Sequence, residues 1–201
     1  VGSEMCIRDR VYVQEDIAEE YWDYLQEAMQ ELEIGDPNQP KVDIGPIINS
    51  TSLDKLKTHI AKLKKAGKEF IETECEIPEK SLFLKPIAFK VDSIRDIDGE
   101  KFGPILHFIS YNPNDLDSII DEINSIGFGL TMGVHSRILD KASKIFEKSN
   151  IGNFYLNRDI VGAVVGVQPF GGQGLSGTGP KAGGPQYLHS FVTEKTFTDN
   201  V

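Results

Sequence analysis

The run Phe102 to Tyr111, FGPILHFISY, constrains the fold more than any other stretch of the chain. It is apolar at successive positions and reads as a buried strand rather than a half-exposed one. Other segments alternate around it. Val11 to Val13 looks like the end of a strand, and an amphipathic helix is expected from Glu15 to Glu33. In that helix Ile17, Tyr21, Leu25, Ala28, Met29 and Leu32 recur at three- and four-residue spacing. Gly35 suits the position after the helix, and Pro37 follows. A second helix is predicted from Ser52 to Ala66, with Leu53, Leu56, Ile60 and Leu63 on one face and Gly67 ending it. Strands are predicted at Phe70 to Glu74, Phe83 to Val91, Leu130 to His135 and Gly152 to Asn157. Helices are predicted after a cap at Asn114 or Asp115 and around Ala142 to Phe146. Strand and helix alternate, so the expected class is α/β, a mostly parallel sheet flanked by helices.

Composition narrows the function. The formal net charge of -10 argues against a general nucleic-acid binder, which needs a basic face. No apolar run approaches the roughly 18 residues of a membrane span. Two cysteines, Cys6 and Cys75, suit a reducing compartment, so the cytoplasm is the expected location. Cys75 lies among Glu72, Glu74 and Glu76, and that negative surrounding disfavours a thiolate. His59, His107, His135 and His189 have no metal-ligand spacing, so no metal is expected, and His107 reads as a core residue.

From Gly162 to Gly184 the chain is crowded with glycine and has little periodicity, so it must be a loop with special backbone angles. Gly172, Gly174 and Gly177 match a dinucleotide fingerprint by spacing alone. The fingerprint needs a helix to follow, and Pro180 and Pro185 forbid a regular one. GLSGTG fails as a nucleophile elbow, because Thr178 replaces the second glycine. Phe191 to Thr198, FVTEKTFT, alternates apolar and polar residues and is expected to be a strand. Residues 1–10, VGSEMCIRDR, show no period and are expected to be a non-native leader.

Two segments carry a family resemblance. EKFGPIL, Glu100 to Leu106, resembles the E-x-F-G-P-V/I-L element of the aldehyde dehydrogenase superfamily. GNFYLNRDIVGAVVGVQPFGGQGLSGTGPKAGGPQYL, Gly152 to Leu188, resembles that superfamily's G-N-x-x-x-N strand and P-F-G-G-x-x-x-S-G loop. The G-A-V-V-G-x-Q-P-F-G-G form is similar to the glutamate-semialdehyde branch, in particular the dehydrogenase domain of bifunctional proline-utilisation enzymes. FGLTMGVHSR fits as well, and the likeness runs from about Val11 to Asn200.

The resemblance implies NAD-dependent oxidation of L-glutamate γ-semialdehyde, the open form of 1-pyrroline-5-carboxylate, to L-glutamate. A cysteine thiolate attacks the aldehyde, hydride leaves to NAD, and water hydrolyses the resulting thioester. Glu100 would bind the nicotinamide ribose hydroxyls and Phe102 would pack beside the nicotinamide. Gly162 and Ala163 would offer backbone N–H groups to the substrate α-carboxylate, a turn suited to anions. Phe170 would pack on the substrate stem. Residues 11–186 would be a catalytic-domain portion. Residues 187–201 would be an oligomerisation strand and tail, implying a homo-oligomer. A fused upstream proline dehydrogenase domain would carry FAD.

The family's nucleophile belongs to a G-Q-x-C-S-A element just before the first strand here. Alignment of Tyr12 to Gln14 puts Met5 at that position and leaves Cys6, the one candidate thiol, a residue out of register. The thiol, its general base and the phosphate-binding region are therefore expected upstream, and the 201 residues alone are expected to be inactive. Two other readings stand beside this one: an aldehyde dehydrogenase for an apolar aldehyde, and a non-catalytic oligomerisation fragment.

Overall fold

The computed structural model describes residues 9–77, 81–160, 162–177 and 179–201. The chain divides into two compact units, Val1–Ile119 and Ile120–Val201.

The first unit is built on a four-stranded sheet. Its strands are β1 (Arg10–Gln14), β2 (Phe70–Glu72), β3 (Ile87–Lys90) and β4 (Ile105–Tyr111), in the order β1-β4-β3-β2. β4 pairs in parallel with β1 and β3, and β2 closes the other edge antiparallel. The central strand is thus the run that the sequence marks as buried. Ile105, His107, Phe108 and Ile109 are all at most 3% exposed, so β4 is covered on both faces.

Helix α1 (Ala18–Gln30) packs on one face. Val13, Ala18, Trp22, Met29, Ile71, Ala88 and Phe108 form a single apolar cluster, with Trp22 edge-on to Phe108 at 5.2 Å. The expected helix starts later and stops earlier, because Glu15–Ile17 is a 3-10 turn and Gly35 is engaged with Ile44 rather than capping the helix. The buried stripe is also rotated from the expected one. Trp22 lies inside while Tyr21 is 44% exposed, because the larger indole fills the space over Phe108.

Helix α2 (Ser50–Lys65) covers the other face, where His59 meets His107. The Asn49 side chain accepts from the Ser52 N–H at its start, and Gly67, at φ 72°, follows its end. Leu53, Leu56, Ile60 and Leu63 are buried as the spacing predicts.

The second unit centres on β6 (Thr131–Val134) and β7 (Asn153–Leu156), parallel to one another and joined through α4 (Leu139–Lys148). A short antiparallel pair, β5 (Phe128–Gly129) with β8 (Gln173–Gly174), lies within the same unit. The division between units falls within α3 (Leu116–Ser125). The described residues from Gly162 to Gly184 form a loop, as expected, except for β8 and one bridge between Phe170 and Ala182.

Phe191 to Thr198 is not a strand. Tyr187–Phe191 forms a 3-10 turn and residues 192–201 adopt no regular element. A strand requires a neighbour to pair its backbone, and alternation alone supplies none. Phe191 is 70% exposed and touches the Tyr187 ring edge-on at 5.3 Å, and Phe197 is 87% exposed.

Candidate functional site

The predicted site residues fall into two groups, one in each unit. Glu100 and Phe102 belong to the first. They stand on the loop that leads into β4, three to five residues before its first residue, Ile105. Gly103 seats this loop on α2, because a Cβ there would collide with the Leu56 side chain. Phe102 is 52% exposed, an aromatic face open for stacking. Glu100 is half-buried, and its carboxyl is pushed above the usual range first by burial and then by the nearby Asp9 charge, against the pull of Arg10.

Asp9 is the least expected member of this neighbourhood. It is 5% exposed, beside Arg10 at 3.1 Å. Burial raises its pKa, while Arg10 and the Lys101 backbone N–H work in the opposite direction. Arg10 also donates to the Gly99 carbonyl at 3.4 Å. The chain entering β1 is therefore tied to the Glu100 loop, although the sequence reading set residues 1–10 apart. Cys6, the candidate thiol, lies outside the described residues.

Gly162, Ala163 and Phe170 belong to the second unit. Gly162 adopts φ 58° with open space where a Cβ would stand, so conformation, not crowding, calls for glycine. The buried Tyr155 hydroxyl donates to the Gly162 carbonyl at 2.5 Å, fixing one side of the turn. Arg158 lies over the Tyr155 ring at 5.0 Å. Ala163 is half-buried beside it.

Phe170 is held by its neighbours. The Asn153 amide donates to the Pro169 carbonyl at 2.9 Å, and its oxygen accepts from the Gly171 N–H at 3.1 Å. One buried side chain on β7 thus brackets Phe170 on both sides, which its own bridge to Ala182 reinforces. Phe170, Gly171, Gly172, Ser176, Pro180 and Tyr187 help line a groove of about 500 Å³. Gly172, Gly174 and Gly177 form part of a tight turn. Gly177 passes so close to the Gly172 carbonyl that a Cβ would overlap it. Among the described residues no α-helix follows, so this is no dinucleotide loop.

Tyr155, Asn153 and Asp9 were not singled out by sequence. Asn153 had a signal, since it belongs to the quoted G-N-x-x-x-N strand. Tyr155 and Asp9 had none, because their partners are backbone groups brought close by the fold, at Gly162 and Lys101. His107 is a core residue, as expected, at 0% exposure. Among the described residues, no cluster of His, Cys, Asp and Glu could hold a metal, and no helix is long and apolar enough to cross a membrane.

The first unit thus holds an exposed aromatic and a half-buried carboxylate just before β4, and the second a glycine turn pinned by β7. Residues 2–197 match the aldehyde dehydrogenase family, and the chain belongs to it. It is 40% identical over 189 residues to the bifunctional protein PutA of Escherichia coli K12, covering 91% of this chain and 14% of that protein. It is 34% identical over 200 residues to 1-pyrroline-5-carboxylate dehydrogenase of Geobacillus sp. WCH70, covering 98% of this chain and 38% of that one. A crystal structure of a Bradyrhizobium japonicum proline utilization A mutant superposes with a TM-score of 0.85 at 41% identity, over 94% of this chain and 20% of the other. The chain therefore spans well under half the length of these relatives.

Proposed function

We propose that this chain is a portion of an NAD-dependent dehydrogenase that oxidises L-glutamate γ-semialdehyde to L-glutamate in proline breakdown. The observation that carries the reading is the match along nearly the whole chain to proteins named 1-pyrroline-5-carboxylate dehydrogenase and PutA. Residues 11–186 are the catalytic-domain portion in this reading, and 187–201 the oligomerisation segment of a cytoplasmic homo-oligomer. Likeness to bifunctional PutA supports a fused proline dehydrogenase domain with FAD elsewhere in the protein.

NAD, when bound, accepts the hydride. The residues present fit its nicotinamide end: an open phenyl face at Phe102 and a half-buried carboxylate at Glu100. The ionised Glu100 accepts from ribose hydroxyls, and Phe102 limits the sideways movement of the ring. The Gly162–Ala163 turn offers N–H groups to the substrate α-carboxylate, and the Tyr155 hydroxyl keeps the Gly162 carbonyl turned toward itself. Phe170, held by Asn153, packs on the methylene stem. The attacking thiol and the general base come from other parts of the protein in this reading, so the 201 residues alone release no NADH.

The deciding experiment compares glutamate γ-semialdehyde with propanal in the complete enzyme carrying this segment. A site built to hold a carboxylate rejects the analogue lacking it by a factor on the order of 10⁴ in kcat/KM. Equal efficiencies would favour an apolar-aldehyde enzyme and overturn the assignment. Light scattering of the chain with and without NAD separates the enzyme portion from a purely oligomerising fragment.

A further inference from the structure

We propose that His59 and His107 are positioning residues, a buried neutral relay that keeps the Glu100–Phe102 loop fixed against the chain entering β1. The inference rests on the reading of Glu100 and Phe102 as cofactor-facing groups, but its geometry stands within the first unit alone. The His59 Nε2 and His107 Nε2 atoms are 2.8 Å apart, and the His107 Nδ1 lies 2.8 Å from the Asp9 carbonyl oxygen. The rings are 4% and 0% exposed.

Partner chemistry assigns the protons. A carbonyl oxygen only accepts, so His107 carries its hydrogen on Nδ1. In the neutral ring Nε2 then offers a lone pair, and His59 must donate through its own Nε2–H. The relay therefore runs in one direction, from α2 through β4 to the residue before β1. The Asp9 carbonyl also accepts from the His107 backbone N–H, so one oxygen receives both donors.

Both rings stay uncharged because of their surroundings. Burial is the main cause, and it brings each pKa down to about 4. The charged groups that face the pair act around this. Arg10 lies on the β1 side, where Asp9 acts through its backbone carbonyl, Lys62 lies on α2, and Asp98 and Lys101 lie on the loop. Protonating either ring would bury a charge, and protonating both would place two cations in contact, so the pair stays neutral near pH 7.

The same Asp9 that receives the relay sends its carboxylate toward Arg10 and the Lys101 backbone, and Arg10 reaches Gly99. Lys101 stands between Glu100 and Phe102. From the other side Gly103 rests on Leu56 of α2, one turn before His59. The loop is thus clamped between α2 and β1, and the two histidines are the side-chain link between those elements. A pair of buried imidazoles is a costly way to fill a core, since each must find partners. Its yield is direction: the chain entering β1 cannot slide along β4 without breaking the two bonds that the Asp9 carbonyl accepts from His107.

The test uses the 201-residue chain. Nitrogen-15 spectra at pH 7 are expected to show His107 protonated at Nδ1, His59 protonated at Nε2, and neither ring titrating near 6.5. Hydrogen exchange is then compared across variants. H107F and H59L remove the link, and amides 10–12 and 99–103 are expected to exchange about tenfold faster, the size of one lost hydrogen bond. H107N retains a donor for the Asp9 carbonyl, and H59Q one for His107, so each is expected to restore most of the protection at its own end. Exchange in residues 131–156 stays unchanged. The opposite tautomers, a ring titrating near 6.5, or loop protection equal in H59L and H59Q would overturn the proposal. The spectra decide it even where H107F does not fold. No cofactor enters these measurements, so the relay can hold while Glu100 binds no ribose, and can fail while it does.

Discussion

The two units reach a defined geometry by different routes. In the first, a central strand is paired on both edges and covered on both faces, and the Glu100 loop inherits its position from that strand and from α2. In the second, the Gly162 to Phe170 segment has almost no ladder, and single side chains, Tyr155 and Asn153, bond directly to its backbone. Burial distributes support over many contacts, whereas side-chain pins concentrate it in a few bonds. A mutation in the first region should therefore cost global stability, and one in the second should cost local order.

The largest expected effect is Phe108→Ala. Phe108 is 1% exposed and touches Trp22 and Tyr21, so about 3–5 kcal/mol of unfolding free energy is lost. Denaturant titration followed by the fluorescence of Trp22, the sole tryptophan, reads this directly. A loss under about 1 kcal/mol would remove the claim that the first unit depends on this core.

Acidification comes next. His59 and His107 have folded pKa values near 4 against 6.5 in the open chain. Between those values the unfolded state binds more protons, so stability falls as pH drops from about 6.5 to 4 and then stops falling from this source. The pair accounts for a few kcal/mol over that window. Asp9 and Glu100, whose folded pKa values are raised, act in the opposite sense and soften the lower end. Stability measured at intervals across the window should lose roughly half its slope in H59Q, since one of the two rings is then gone. An unchanged slope would refute the neutral pair.

Asn153→Ala sharpens the contrast. It leaves the Pro169 carbonyl and the Gly171 N–H without their partner and costs about 2 kcal/mol within the second unit. Hydrogen exchange should rise in residues 168–172 while β1 to β4 keep their protection.

The smallest change is Tyr155→Phe, about 1 kcal/mol. Its mark is local, a faster-exchanging Gly162 and Ala163 with the β7 ladder intact. Under the proposed function, it should raise KM for the semialdehyde in the complete enzyme more than it lowers kcat, since in that reading it acts on the turn rather than on the reacting carbon. Equal loss in both would place Tyr155 nearer the chemistry than this geometry suggests.

Much of the fold is legible in the sequence. α2 shows why: an Asn cap, four apolar residues at helical spacing and a terminal glycine agree with one another, and local signals suffice when they agree. α1 was placed correctly but rotated, because Tyr21 and Trp22 are adjacent and spacing does not say which ring faces Phe108. The alternating segment Phe191 to Thr198 misled, because a strand exists only with a partner, and this chain gives it none.

The sequence alone determined the class of fold, the buried status of β4 and the irregular glycine loop. Those properties follow from hydrophobic period and backbone permission, which are local. Tertiary structure alone decided that Asp9 joins the Glu100 loop, that Tyr155 grips Gly162, and that two histidines 48 positions apart share one hydrogen bond. Each of these depends on which backbone or side chain the fold brings close, a relation that spacing along the chain does not encode.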